Sequence, residues 1–409
     1  MKIFFLGISG TFMGNLAQIA NFMGHEVVGC DNKVYPPMSD ELKSKGINFF
    51  QGYKEKNFVD ADIYVIGNAI SKENNLLKEI LRLEKKIISG PEWLYKNVLK
   101  DKKVIAVSGT HGKTTVTSMI AQALLDNNFN PNYLIAGIPN NLEKSWNISS
   151  DELFIIEADE YDTCYFDKRP KFFHYQPSVL MINNIEFDHA DIYENIEMIE
   201  KNFFELIKTM PTNSKVYINE KKVRKCFKNI LNEEKFKTNL QFFSLNASNI
   251  HEENKLLAAH TLEGLIPKEK TLSVLGDYKG VKRRFETIFD DKNFKLIDDF
   301  AHHPTAIEET IKMTREQTDN LTLIVELGSN SMKRGVHDER LLKIFGNQET
   351  FIINASTEQE KIFSDHAKKL TNDDVVKICS KDKEKKTILM CGNRNFQGFQ
   401  KLILNELIK

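Results

Sequence analysis

Val104-Ile105-Ala106-Val107-Ser108-Gly109-Thr110-His111-Gly112-Lys113-Thr114-Thr115 is the stretch whose reading decides the fold. A β-branched apolar run ends in a loop with two glycines, and Val116, Met119, Ile120, Ala123 and Leu124 then recur at helical spacing. A strand that passes through glycines into a helix turns several backbone N–H groups inward, and the helix dipole adds positive potential there. Such a cradle binds phosphate. Lys113 is placed for the outer phosphates of a nucleotide, and the Thr114 hydroxyl for Mg2+. The loop is the shorter G-T-x-G-K-T form, because Val107 stands where the longer form has its first glycine. A loop lysine has little packing to lose. Lys113→Ala is therefore expected to remove activity while costing the fold under about 1 kcal/mol.

Two further apolar runs lie downstream of this loop. Leu153–Ile156 leads into Glu157-Ala158-Asp159-Glu160-Tyr161-Asp162, and carboxylates at a strand end beside a phosphate loop suit Mg2+, which prefers oxygen ligands. Val179–Ile182 leads into Asn183-Asn184-Ile185-Glu186-Phe187-Asp188-His189-Ala190-Asp191. A single histidine is more often structural than a ligand, yet His189 stands at a strand end between two aspartates. A neutral imidazole there could ligate a second Mg2+ or orient a substrate. Further on, Lys282-Arg283-Arg284 is either a solvated basic loop or a source of charge for a transferred phosphoryl group, and composition does not decide.

The same strand–loop–helix start recurs on either side. Ile3–Leu6 meets Gly7, Gly10 and Gly14 before a helix with Leu16, Ile19, Ala20 and Met23 on one face, and a second strand ends at Asp31. The glycine spacing departs from G-x-G-x-x-G, which disfavours a dinucleotide and leaves room for another diphosphate ligand, such as a nucleotide sugar. Lys295–Ile297 runs into Asp298-Asp299-Phe300-Ala301-His302-His303-Pro304, and Leu321–Val325 into Glu326-Leu327-Gly328-Ser329-Asn330. Alternation of this kind indicates parallel α/β sheets. The polar stretches Lys100–Lys103 and Asp290–Asn293 divide the chain into three α/β domains, 1–100, 101–292 and 293–409.

Composition narrows the class. A chain of 409 residues exceeds one core. Its 56 Lys+Arg against 57 Asp+Glu leave no global field for nucleic acid or an anionic membrane. Five scattered cysteines without a C-x-x-C pair suit a reducing compartment, and no stretch approaches the roughly 20 apolar residues of a membrane span. A cytoplasmic enzyme with no obligate protein partner is expected.

In this order the motifs G-T-H-G-K-T-T (109–115), E-A-D-E-Y-D (157–162), D-H-A-D (188–191) and D-D-F-A-H-H-P-T (298–305) resemble the Mur ligase family. Gly10–Gly14, Val34–Ser39, Ile66–Ala69, Ser89–Pro91, Tyr161–Thr163, Phe166–Arg169 and Ser329–Lys333 are similar to the branch of that family that adds a whole tripeptide. The resemblance implies a Rossmann-like UDP-binding domain, a P-loop ATP-binding central domain and a Rossmann-like C-terminal domain that brings the amine. ATP would activate the lactyl carboxylate of UDP-N-acetylmuramate as an acyl phosphate, which the murein tripeptide L-alanyl-γ-D-glutamyl-meso-diaminopimelate attacks in peptidoglycan recycling.

By position, the resemblance assigns ATP to Gly109, Thr110, His111, Gly112, Lys113, Thr114, Thr115, Arg284 and Asp299, with Lys113, His189 and Arg284 catalytic. Thr114, Glu157 and His189 would hold Mg2+. Gly7, Gly10, Thr11, Phe12, Met13, Gly14, Asp31 and Asn68 would form the UDP-sugar site, and Ser329, Asn330, Ser331 and Lys333 the peptide site. Several family members carry a carbamylated lysine about one helix beyond the D-H motif, where this chain reads Asn202-Phe203-Phe204-Glu205. The alternative within the family adds L-alanine to the same sugar nucleotide. Outside it, a switch NTPase would leave the first and third domains without ligands.

Overall fold

A computed structural model describes residues 1–234, 236–346, 348–380 and 384–409. Among the described residues three open sheets of five, seven and six strands follow one another along the chain, one for each start read from the sequence, and Asp162–Cys164 forms a separate two-stranded antiparallel pair with Asp167–Pro170. The first is ordered Asn48–Gln51, Glu26–Asp31, Lys2–Leu6, Ile63–Ile66, Ile87–Ser89, with every pairing parallel. Strands covered on both faces read as unbroken apolar runs, and Ile3, Phe4, Phe5 and Leu6 are all fully buried. Strand order reverses between Lys2–Leu6 and Ile63–Ile66, so Gly7 and Gly67-Asn68 emerge beside the crevice where open α/β sheets take ligands.

The second sheet has seven strands, ordered Asn239–Phe243, Lys215–Asn219, Val179–Ile182, Lys103–Ser108, Leu153–Ala158, Asn132–Leu134, Trp146–Asn147. Lys103–Ser108 pairs in parallel with both Val179–Ile182 and Leu153–Ala158. The loops that follow these three strands therefore leave the sheet along one edge. This places the glycine loop, the Glu157 string and the Asn183-Asn184 pair together.

The third sheet is ordered Glu286–Asp290, Phe294–Asp299, Lys386–Cys391, Leu321–Glu326, Glu349–Ile353, Lys368–Lys369, parallel except for the first hairpin. It begins at Glu286, ahead of residue 293, because Glu286–Asp290 pairs with Phe294–Asp299 instead of ending the central segment.

The chain packs into two compact units. One comprises Met1–Glu186, Glu197–Leu245 and Asn254–Tyr278; the other Phe187–Ile196, Asn246–Glu253 and Lys279–Lys409. The segment with Asp188 and His189, expected in the central domain, thus belongs with the third sheet. Its hydrogen bonds to Asn330, Ser331 and Arg334 are the physical reason. Among the described residues no helix is long and apolar enough to cross a membrane, and the five cysteines are unpaired.

Candidate active site

In the first unit Gly112 caps the helix Lys113–Asp126 at φ +82°, a left-handed conformation that β-carbon-bearing residues rarely adopt. The loop ahead of it is held by asparagines. Asn184 Oδ1 accepts from the His111 N–H at 2.9 Å, and Asn183 and Asn184 both donate to the His111 carbonyl. Thr110 Oγ1 accepts from the Glu186 N–H at 2.9 Å. Asn254 Oδ1 lies 3.1 Å from where a Gly112 side chain would begin.

Lys113 departs from the sequence expectation of a lightly packed loop residue. Its Nζ donates to the Gly109 carbonyl at 2.7 Å and pairs with Glu160 at 3.0 Å, while its side chain is only 14% exposed. Burial alone would lower the ammonium pKa, but Glu160, Asp159 and Glu157 together hold it above the usual lysine value. Thr114 Oγ1 donates to Glu157 Oε2 at 3.0 Å, and Glu157 Oε1 accepts from the Ala136 N–H at 2.6 Å. A hydroxyl and a carboxylate in contact beside a phosphate cradle are the oxygen donors that a hard divalent cation takes, so this pair fits Mg2+. Thr115 follows in the same first helical turn.

Within the same unit Asn68, at the switch point of the first sheet, donates to the Asp162 carbonyl at 2.6 Å and its carboxylate at 2.5 Å, and Lys168 pairs with the same carboxylate at 2.7 Å. Gly10 caps the helix Thr11–Phe22, whose first-turn amides, from Thr11 to Met13, lack internal acceptors as in any helix. The Gly7 amide is already used by Cys30 O at 2.8 Å. Met13 is buried, and Gly14 leaves space that Met38 fills, so both serve packing. Asp31 braces the loop, accepting from the Ser9 N–H at 3.0 Å and the Tyr53 hydroxyl at 3.0 Å.

The second unit carries the other expected residues. Asp188 is 5% exposed and accepts from the Ser331 hydroxyl at 2.7 Å and the His189 N–H at 2.7 Å. Burial would raise its carboxyl, but His189, His302, the Ser331 hydroxyl and His303 hold it well below the usual carboxylate range. His189 sits at φ +55° and closes the turn by accepting from Ile192 and Tyr193. Asn330 donates to Asp191 at 2.8 Å, and Ser329 caps the helix Asn330–Lys333. Asn330 and Ser331, expected to face a substrate, thus hold the Asp188–Asp191 segment. Lys333 is exposed.

The Arg284 guanidinium lies 4.6 Å from the Phe300 ring centroid, a cation–π contact. Asp299 is 8% exposed and accepts from the Phe285 and Ala301 N–H groups, both at 2.6 Å. Burial, opposed by Arg284, pushes its carboxyl up from 3.8 to about 6. A raised folded-state pKa gives stability that is present below the unfolded value and lost as pH rises through the folded one. The shift from 3.8 to about 6 corresponds to roughly 3 kcal/mol. Wild-type stability relative to Asp299→Asn is therefore expected to fall by about that much between pH 4 and 7. Urea melts at the two pH values check this; a pH-independent difference contradicts it.

Sequence reasoning missed Glu160 as the partner of Lys113, the asparagines around His111, the Asp162 bridge to Asn68, and Glu326. The last is fully buried at a strand end and accepts from Arg394 and Phe396 N–H groups.

The chain matches the descriptions "Mur ligase family, catalytic domain" over residues 2–101, "Mur ligase middle domain" over 107–275 and "Mur ligase, glutamate ligase domain" over 283–394. It is 36% identical to UDP-N-acetylmuramate–L-alanyl-γ-D-glutamyl-meso-2,6-diaminoheptandioate ligase of Escherichia coli, covering 86% of this chain and 85% of that one. A UDP-N-acetylmuramate–L-alanine ligase of Aquifex aeolicus matches at 30%, over 79% and 76%. The crystal structure of a murein peptide ligase from Psychrobacter arcticus superposes with a TM-score of 0.75 at 29% identity, over 100% of this chain and 98% of the other.

Proposed function

The chain belongs to the Mur ligase family, and from that premise we propose that it joins L-alanyl-γ-D-glutamyl-meso-diaminopimelate to UDP-N-acetylmuramate at the expense of ATP, in the cytoplasm, as a step of peptidoglycan recycling. The observation that carries the choice of amine is the 36% identity, over most of both chains, to a relative named for that reaction, against 30% for one named for L-alanine. The residues supply the chemistry.

A lactyl carboxylate oxygen attacks the γ-phosphorus of ATP, and the bond to the bridging oxygen breaks to release ADP. The tripeptide amine then attacks the acyl-phosphate carbon, the nitrogen loses a proton, and the C–O bond to phosphate breaks to leave an amide. Both partners of the first step are anions, so cationic and N–H groups must offset their repulsion. Lys113 and the N-terminal amides of the helix Lys113–Asp126 do so at the phosphates, and Arg284 supplies a further positive charge. Thr114 and Glu157 would hold Mg2+, and His189 would ligate a second ion; a bound ion would screen phosphate charge. Asn68 and the amides at Thr11–Met13 hold the sugar nucleotide, and Asp299 serves the ATP ribose.

Phosphate release from ATP, measured with UDP-N-acetylmuramate and with or without tripeptide, tests the reading. Release that needs both acceptors supports it; release from ATP alone at the same rate points to an NTPase. The reading includes no carbamylated lysine, since the region where the resemblance puts one reads Asn202-Phe203-Phe204-Glu205, with the Phe204 ring packed against Phe236 at 5.7 Å. Activity in bicarbonate-depleted buffer is expected to match that with bicarbonate restored, and a rescue above about threefold contradicts this.

A further inference from the structure

The side-chain amide of Asn68 has one edge already spent, and the edge that is left decides which part of a ligand it can meet. Its Nδ2 donates to the Asp162 main-chain carbonyl at 2.6 Å and to the Asp162 carboxylate at 2.5 Å. Both partners accept, and Lys168 Nζ pairs with the same carboxylate at 2.7 Å. An amide turned the other way would set Oδ1 against two acceptors, so the orientation of Asn68 is fixed by its neighbours. Among the described residues nothing donates to Asn68 Oδ1, and the residue is only half-buried. The Asn68 side chain therefore offers a ligand an acceptor and no donor.

Asp162 is placed to hold that orientation. It is 6% exposed, and it starts the short hairpin in which Asp162–Cys164 pairs antiparallel with Asp167–Pro170. The Thr163 hydroxyl behind it donates to the Arg169 carbonyl at 2.8 Å, and the Lys171 N–H to the Tyr161 carbonyl at 3.1 Å. Lys168, on the facing strand, offsets a charge that burial would otherwise isolate.

Asn68 stands beside the glycine loop of the first sheet. A side chain on Gly67 would begin 3.7 Å from Gly7 Cα and 2.9 Å from the Leu6 carbonyl, so the two loops run in contact. On the function proposed above, the first-turn amides of Thr11–Phe22 take the diphosphate, and phosphate oxygens only accept. Asn68 Oδ1 thus repels phosphate and calls for an N–H or O–H close to it. In UDP-N-acetylmuramate the carbon beside the one bearing diphosphate carries the acetamido N–H, and the carbon after that carries the lactyl ether. Resting on that function, we propose that Asn68 Oδ1 accepts from the acetamido N–H and that Asp162 is the positioning residue that turns it there. The pair then selects an N-acetylated sugar. Asp162 closes the acidic string in which Glu157 meets Thr114 and Glu160 meets Lys113, so the sugar is fixed from the same segment as the phosphate cradle.

The test measures Kd by calorimetry, with Mg2+ and a non-hydrolysable ATP analogue present, for UDP-N-acetylmuramate and for its 2-O-acetyl analogue. That ester has the same shape, with oxygen in place of the N–H. Wild type is expected to bind the ester about 10- to 100-fold more weakly, because two acceptors then face each other. Asn68→Ala removes the acceptor, and the ratio of the two Kd values should fall to about threefold or less. Asp162→Ala should do the same by releasing the amide, with Asp162→Asn, which keeps an acceptor oxygen, in between. A merely structural role for Asp162 would weaken both ligands alike and leave the ratio as in wild type. A wild-type ratio within about threefold, or a wild-type ratio retained in Asn68→Ala or Asp162→Ala, overturns the proposal. Asn68→Ala leaves the hairpin intact and is read in place of Asp162→Ala if the latter melts early. Failure of wild type to bind UDP-N-acetylmuramate at all refutes this inference together with the proposed function, whereas binding with a ratio near unity refutes the inference alone.

Discussion

Lys113→Ala is expected to lower the ligation rate at least about 1,000-fold, the loss of a preorganised cation facing transferred phosphate being worth roughly 4 kcal/mol or more. The structure changes what the same substitution does to the fold. Glu160 is 2% exposed and faces Lys113 at 3.0 Å, so removing the ammonium takes a cation away from a buried carboxylate. Breaking one side of such a pair costs about 3–5 kcal/mol, more than the under 1 kcal/mol expected of a free loop lysine. Lys113→Met combined with Glu160→Gln removes both charges and is expected to recover most of the stability and none of the activity. Thermal melts and turnover of the single and double variants separate the effects. Activity within tenfold of wild type in either variant contradicts a phosphate role, and an unshifted melt for Lys113→Ala contradicts the buried pair.

Asp188→Ala is expected to be the most damaging change in the second unit. It removes the acceptor of the Ser331 hydroxyl and of the His189 N–H, both at 2.7 Å, and leaves the hydroxyl of a residue 1% exposed with only the bond it accepts from the Ala190 N–H. Charge-assisted hydrogen bonds of this kind are worth about 1.5–3 kcal/mol each, so a loss of roughly 3–5 kcal/mol in denaturant melts is expected. His189 is held at φ +55° only while this turn is intact, so activity should fall at least about tenfold as well. Asp188→Asn keeps one acceptor oxygen and should lie between Asp188→Ala and wild type. A melt and a turnover within error of wild type for Asp188→Ala contradict the role.

Much of this was legible in the chain because parallel strands buried on both faces read as apolar runs, and the loops after them are where such sheets bind ligands. Val104–Val107, Leu153–Ile156 and Val179–Ile182 announce three neighbouring strands, and the glycine loop, Glu157 and Asn183 follow from them. Partner choice was not legible. Glu157, Asp159 and Glu160 stand in one acidic string, and only the tertiary path decides that Thr114 meets Glu157 while Lys113 meets Glu160. Asn254 reaches Gly112 from far along the chain, a contact no local pattern encodes. Asn330 and Ser331 have the composition of a substrate-binding turn, but their donors are taken by Asp191 and Asp188, whose segment the chain crosses over to supply.

The most direct measurement is the kcat/KM of wild-type enzyme for the tripeptide and for free L-alanine, each with saturating ATP and UDP-N-acetylmuramate and with the product identified by mass. A preference for L-alanyl-γ-D-glutamyl-meso-diaminopimelate of at least about 100-fold, with UDP-N-acetylmuramyl-tripeptide as product, is the expected result. A preference for free L-alanine, or ATP hydrolysis with no amide formed from either amine, would contradict it.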